Sequence, residues 1–204
     1  MHLVLTDWLT CPHCGPHEGL IVLAERIVNR RILEGALGCP ACQRQFSVRN
    51  GEADLRTDTD SSFHTMTAAA TAEDARRLAA LLGLTEGHGY AVLMGAATDR
   101  AAELAELVPG LELIAINARA AQPTPGVSLL RADTVLPLRS SSVRGVVVSE
   151  GAPTDLHEEV LRVLAPGARL VISTALPAAQ ALADSNEART LARDAQHIVL
   201  ARAH

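Results

Sequence analysis

The residues whose types and spacing could do chemistry are Cys11, Cys14, Cys39 and Cys42, which are all the cysteines of the 204-residue chain. They form two pairs, Cys11-Pro12-His13-Cys14 and Cys39-Pro40-Ala41-Cys42. A pair spaced by two residues makes a tight knuckle that points two sulfurs at one ion, and the segment between the pairs forms a hairpin that returns the second knuckle to the first. Four thiolates around one zinc ion complete a tetrahedron with no open position, so the expected metal is structural. A module of about 50 residues cannot bury enough to fold securely alone, and metal binding would supply folding free energy. Two rival readings exist, a pair of disulfides and a redox dithiol. The dithiol needs one low-pKa pair in a βαβ setting, not two matched pairs. His13 and His17 lie near the first pair, but four sulfurs already fill the shell.

Other chemistry is sparse. Glu150, His157, Glu158 and Glu159 follow an apolar run. Glu150 reads as an ordinary acid, Asp155 with Glu158 as a helix N-terminal box, and His157 as a capping or solvated residue. Phosphate-loop and nucleophile-elbow patterns are absent, and no catalytic residue is assigned. Eighteen basic residues, all arginine, face 23 acids, for a net charge of −5. Nucleic acid is permitted by the arginines but not indicated by this balance, and 2% aromatics leave little surface for stacking bases. No apolar run approaches about 18 residues, and no basic-then-apolar segment opens the chain. The expectation is a cytoplasmic protein with no membrane span.

The cysteines need elements to position them. Gly19–Ile27 and Arg31–Leu37 are apolar enough to pair across a turn near Asn29-Arg30, and Phe46-Ser47-Val48 precedes an Asn50-Gly51 turn. The stretch RILEGALGCPACQRQFSVRNGEADL, residues 31–55, resembles the Trm112-like zinc-ribbon family. Cys39, Cys42, Phe46, Val48 and Gly51 match its pattern, and Leu55 stands for its closing strand. The resemblance implies an activator or stabiliser of class I methyltransferases, as a separate subunit or fused ahead of one. The chain departs at Glu52-Ala53-Asp54, where the family usually has an apolar residue and a proline. That departure leaves docking through this edge unsupported.

Residues 57–70 read as a linker. Thr71 and Asp74 suggest a capping box for a helix to Leu82, with Gly83 as its stop. The apolar run Ala91–Met94 ends at Gly95 and leads into a helical pattern, the strand–turn–helix arrangement where an open α/β sheet binds ligands. Further elements alternate: helix 99–108, strands 111–117, 127–130 and 143–148, helix 154–164, strand 169–174, helix 177–194 and strand 197–202. This pattern predicts an α/β fold with a mostly parallel sheet and helices on both faces.

Over residues 71–203 the chain resembles class I S-adenosylmethionine-dependent methyltransferases. In RADTVLPLRSSSVRGVVVSE, the resemblance implies that Asp133 lies beside the adenine and that Leu136-Pro137-Leu138 carries the following loop. Ala165-Pro166-Gly167-Ala168-Arg169 looks like the turn into the fifth strand. The family's first motif places an acid at Leu93 and glycines at Gly95, Ala97 and Asp99, of which only Gly95 survives. Asp99 reads instead as a helix N-cap. The ribose-binding acid falls at Asn117, and the aromatic-acid pair at the fourth strand is Val143-Arg144.

The combined expectation is a Trm112-like zinc ribbon (1–56), a linker (57–70) and a Rossmann-like methyltransferase domain (71–204). With one strand expected after the fifth instead of two, the sheet would be truncated at its end. Gly95, Asn117 and Asp133 are the vestigial cofactor positions, and S-adenosylmethionine is not expected to bind. Zinc is the expected cofactor. A non-catalytic subunit with a protein partner follows, at minimum a homodimer, through the edge around His197–Ala203 or the ribbon's exposed strand. The alternatives are an active methyltransferase with an atypical cofactor loop, or a zinc-ribbon adaptor for RNA or the translation machinery.

Overall fold

Turn chemistry shapes the first module. Asn29 and Arg30 adopt φ values of 49° and 61°, the paired positive values of a two-residue hairpin turn. They join β1 (Ile21–Val28) to β2 (Arg31–Gly38). Asn50 and Gly51, at φ 50° and 79°, likewise join β3 (Gln45–Arg49) to β4 (Glu52–Asp54). The computed structural model describes residues 1–57, 75–84, 88–119, 124–153 and 157–203. Most of the expected linker, the Thr71–Asp74 box and Asp155 lie outside the described residues.

The rest of the chain gives α1 (Ala75–Leu82), β5 (Gly89–Met94), α2 (Ala101–Leu107), β6 (Leu111–Ile116), β7 (Val127–Arg131) and β8 (Val143–Val148). Then come α3 (His157–Val163), β9 (Leu164–Ser173), α4 (Ala178–Ala183), β10 (Ala188–Arg193) and β11 (His197–Arg202). Among the described residues all strands share one 11-stranded sheet in the order β1-β2-β3-β4-β7-β6-β5-β8-β9-β11-β10. From β4 to β9 the neighbours are parallel, and both ends are antiparallel.

The junction between the two parts is the parallel pair β4–β7, with Glu52, Ala53 and Asp54 opposite Leu129, Leu130 and Arg131. The departure from the family pattern therefore does not prevent docking. Ala53, fully buried, supplies the apolar contact. Glu52 accepts from Arg131 Nε at 2.9 Å, and Asp54 turns to Arg56. Both acids thus find arginines at the rim of the joint.

Strand alternation builds two cores. Tyr90, Val92 and Met94 face a core shared with the ribbon, α3 and α4. Ala91 and Leu93 face a second core under α1 and α2. Leu93 is wholly buried there.

The expected truncation is corrected by the pair β10–β11, because two strands follow β9. The segment expected as helix 177–194 is helical only to Ala183, after which Ala188–Arg193 pairs with β11. Consequently His197–Ala203 is not a free edge: β11 lies between β9 and β10, and His197 to Ala201 are buried. Among the described residues the outermost strands of the sheet are β1 and β10. Asp99 is also corrected. A 3-10 turn spans Gly95–Arg100, Arg100 takes the cap position without a side-chain cap bond, and Asp99 is exposed. Among the described residues no helix is long and apolar enough to cross a membrane.

Candidate functional site

The four cysteines converge as their spacing predicts. The knuckles are closed by Gly15 N–H to the Cys11 carbonyl and Gln43 N–H to the Cys39 carbonyl, both 2.9 Å. Gly15 and Gln43, each following its knuckle, take positive φ values of 100° and 58°. All four sulfurs lie within 4.8 Å of one another, with Cys11–Cys42 at 3.7 Å and Cys39–Cys14 at 3.8 Å. Metal–sulfur bonds of about 2.3 Å in a tetrahedron require sulfurs about 3.8 Å apart, so the cluster fits a zinc ion. Burial pushes the Cys11 thiol up, and the Cys42 sulfur beside Cys14 pushes that thiol up to about 12. The Cys42 backbone N–H pulls Cys39 down to about 7. Four crowded thiols do not all ionise without a cation among them. His13 Nδ1 lies 4.0 Å from the Cys14 sulfur, outside the sulfur tetrahedron.

The ligand position of an open α/β sheet lies at the strand carboxyl ends, where the strand order reverses. Here that point is between β5 and β8. Gly95 ends β5 at φ +70°, and a Cβ there would sit 2.5 Å from the Glu150 carbonyl oxygen. The turn after β5 is thus pressed onto the loop after β8. The Ala96 N–H donates to the Glu150 carbonyl at 2.9 Å. The Ala97 N–H donates to Ser149 Oγ at 2.8 Å, and that hydroxyl donates to the Met94 carbonyl at 3.0 Å. The amides that would cradle an anionic ligand have partners within the chain, and Ala97 is fully buried. Ser149 was missed in the sequence, where its only signal is its place directly after an apolar strand.

Asn117 and Asp133 lie just past the ends of β6 and β7. Asn117 takes φ +54°, donates Nδ2–H to the Ala132 carbonyl at 2.9 Å and accepts the Ala132 N–H at 3.1 Å. Asp133 accepts both the N–H and the hydroxyl of Thr57, at 2.7 and 3.0 Å. Each is tied to backbone or to the exit of the ribbon. The Leu136-Pro137-Leu138 loop turns toward the ribbon: Thr10 N–H donates to the Pro137 carbonyl and Arg139 N–H to the Trp8 carbonyl, both at 3.0 Å.

The acids after β8 are dispersed. Glu150 accepts from Ser173 at 2.6 Å. Glu159 accepts the Leu136 N–H and pairs with Arg162 at 2.7 Å. Glu158 is exposed, and the side chain of His157 lies outside the described residues.

Fold and cluster together define a Rossmann-like methyltransferase fold joined to a four-cysteine ribbon. No family model matches the chain, and no curated protein sequence does. Among solved structures it is similar to the MycE methyltransferase of the mycinamycin biosynthetic pathway in complex with Mg and SAH. That match has a TM-score of 0.50 and 9% identity over 65% of this chain and 49% of that one. It is also similar to the antibiotic-resistance methyltransferase Kmr, with a TM-score of 0.43 and 14% identity over 65% of this chain and 94% of that one. A complex of the Haloferax volcanii Trm112 methyltransferase activator with a methyltransferase matches at a TM-score of 0.38 and 23% identity, over 48% and 51% of the two chains. The chain spans about half the length of several structures it matches.

Proposed function

We propose that the chain is a non-catalytic methyltransferase-like protein in which a zinc ribbon (1–56) braces the larger domain (71–204), and that it acts as a binding or scaffold subunit. The observation that carries this reading is the internal use of the cofactor positions. The Ala96 and Ala97 amides, the Asn117 amide and the Asp133 carboxylate are each engaged by the chain itself. A ligand would have to break several of these bonds, at about 1–3 kcal/mol for each buried group left unpaired. Isothermal titration with S-adenosylmethionine and S-adenosylhomocysteine should give no binding heat at millimolar ligand. Micromolar binding of either would overturn the reading.

A second reading, an active enzyme with an atypical cofactor loop, is favoured by the complete β10–β11 pair, since nothing is trimmed from the sheet. The same titration separates the two. For zinc, elemental analysis of the tag-free protein should give about one zinc per chain. A value near zero would remove the metal from the proposal. The partner surface we propose is the free edge β1, where Ile21, Leu23, Ile27 and Val28 are 45–57% exposed. An apolar edge of this kind offers unpaired backbone groups to a second chain. A reducing compartment such as the cytoplasm suits four thiolate ligands.

A further inference from the structure

The two cysteines of each knuckle are held differently. Cys11 and Cys39, the first of each pair, are 0% and 3% exposed and belong to the core shared with the larger domain. Their peptides are fixed on both sides. The Cys11 N–H donates to the Glu18 carbonyl at 2.8 Å and the Cys39 N–H to the Arg44 carbonyl at 2.9 Å, while their own carbonyls accept from Gly15 and Gln43. Their sulfurs also accept hydrogen bonds, from the N–H groups of His13 and Cys14 at Cys11 and of Ala41 and Cys42 at Cys39.

Cys14 and Cys42, the second of each pair, lie on the solvent side. Cys14 is exposed and Cys42 half-buried, and the strongest influence on the Cys14 sulfur is the Cys42 sulfur. All four sulfurs lie within 4.8 Å of one another. With zinc among them all four are thiolates, so access decides which one an oxidant meets first. That sulfur is Cys14. Closing a disulfide then draws two sulfurs in to about 2.05 Å. Cys11 and Cys39 are anchored against such a movement by packing and by both sides of their peptides. Cys42 packs at the edge of the core and is free to make it.

We propose that the ribbon is a redox-sensitive switch in which a hydroperoxide oxidises Cys14 and Cys42 closes a disulfide with it across the two knuckles. The proposal rests on the zinc reading given above. The Cys14 thiolate attacks one oxygen of hydrogen peroxide; the S–O bond forms, the O–O bond breaks, and hydroxide leaves a sulfenic acid. The Cys42 thiolate then attacks that sulfur; the S–S bond forms, the S–O bond breaks, and a second hydroxide leaves. Both hydroxides take protons from solvent, so two thiolates are oxidised by two electrons and one peroxide is reduced to two waters. Two of the four ligands are thereby removed, and the buried pair Cys11 and Cys39 cannot complete a tetrahedron alone. The bridge keeps the knuckles joined, so reduction restores the site.

The test uses the full chain, with its zinc content measured first and about one zinc per chain expected. Hydrogen peroxide is added in steps while released zinc is read with a chromogenic chelator. Free thiols are then alkylated and the disulfides mapped by mass spectrometry. Zinc release should follow peroxide at about one for one, with Cys14 joined to Cys42 and with Cys11 and Cys39 alkylated. A thiol reductant and added zinc should restore the starting content. Zinc retained through excess peroxide would overturn the proposal, as would disulfides within each knuckle or oxidation to sulfinic and sulfonic acids without a disulfide. A chain that holds no zinc before peroxide is added would instead overturn the zinc reading, and the switch with it. In Cys42→Ala the sulfenic acid on Cys14 should persist and be trapped by dimedone. Should that variant not fold, the disulfide map of the unaltered chain still decides.

Discussion

Asn117 donates to the Ala132 carbonyl and accepts its N–H, using both ends of an amide to clip β6 to the end of β7. A carboxylate would face that carbonyl without a proton to give. Asn117→Asp should therefore destabilise the fold by about 1–3 kcal/mol in urea unfolding. Asp194 acts at a different turn, between β10 and β11. It accepts the N–H groups of Gln196 and His197, both at 2.8 Å, and pairs with Arg77 at 2.7 Å. The Gln196 N–H foremost, then that of His197 and the Arg77 guanidinium, holds the Asp194 carboxyl down at about 2, below the ordinary 3.8. A depressed acid contributes stability that is complete above its unfolded value and is lost as pH falls through the folded one. The thermal midpoint should accordingly drop between about pH 4 and about pH 2, and Asp194→Asn should flatten that limb. An unchanged profile in the variant would show that other carboxylates govern it. The cysteine cluster was legible because two knuckles carry their geometry in four local positions. Ser149 was not, because its partners Ala97 and Met94 belong to a strand and turn far away in sequence.

The β4–β7 junction depends on a short element with one buried side chain, Ala53. Ala53→Asp would place an unpaired carboxylate there, a change that costs several kcal/mol when no partner is available. Melting should then resolve into two transitions, the ribbon's moving down while the parallel sheet keeps its own. The central strands were readable from Val, Ile and Leu runs, since a strand covered on both faces needs nothing else. The edge strand β10 was not. Of its six residues only Ala188 is buried, so no alternation marks it, and alanine, leucine and arginine favour a helix. Pairing with β11 overrides that local preference. Docking of β4 was equally hidden, because Glu52 and Asp54 are intelligible only beside Arg131 and Arg56.

Across the whole molecule, the first knuckle is wired to the sheet through one loop. Leu9 bridges Leu138, the Thr10 N–H reaches Pro137, and the Arg139 N–H reaches Trp8. Arg162 braces the far side of that loop through the Leu136 and Leu138 carbonyls, both at 2.7 Å. Removing zinc with a chelator should therefore speed hydrogen exchange at Thr10 and Arg139 as well as at the knuckles, while the amides of β8 stay protected. Exchange confined to residues 11–42 would show that the loop does not feel the metal. The shared sheet also has a consequence for how the two parts stay together. Since β4 and β7 belong to one polypeptide, their pairing is governed by a local concentration set by the tether, about millimolar for short flexible links. Two separate subunits holding the same contacts would have their pairing set by their concentration. Here dilution has no purchase, and a ribbon that lets go after losing its ion remains within reach of the strand it left.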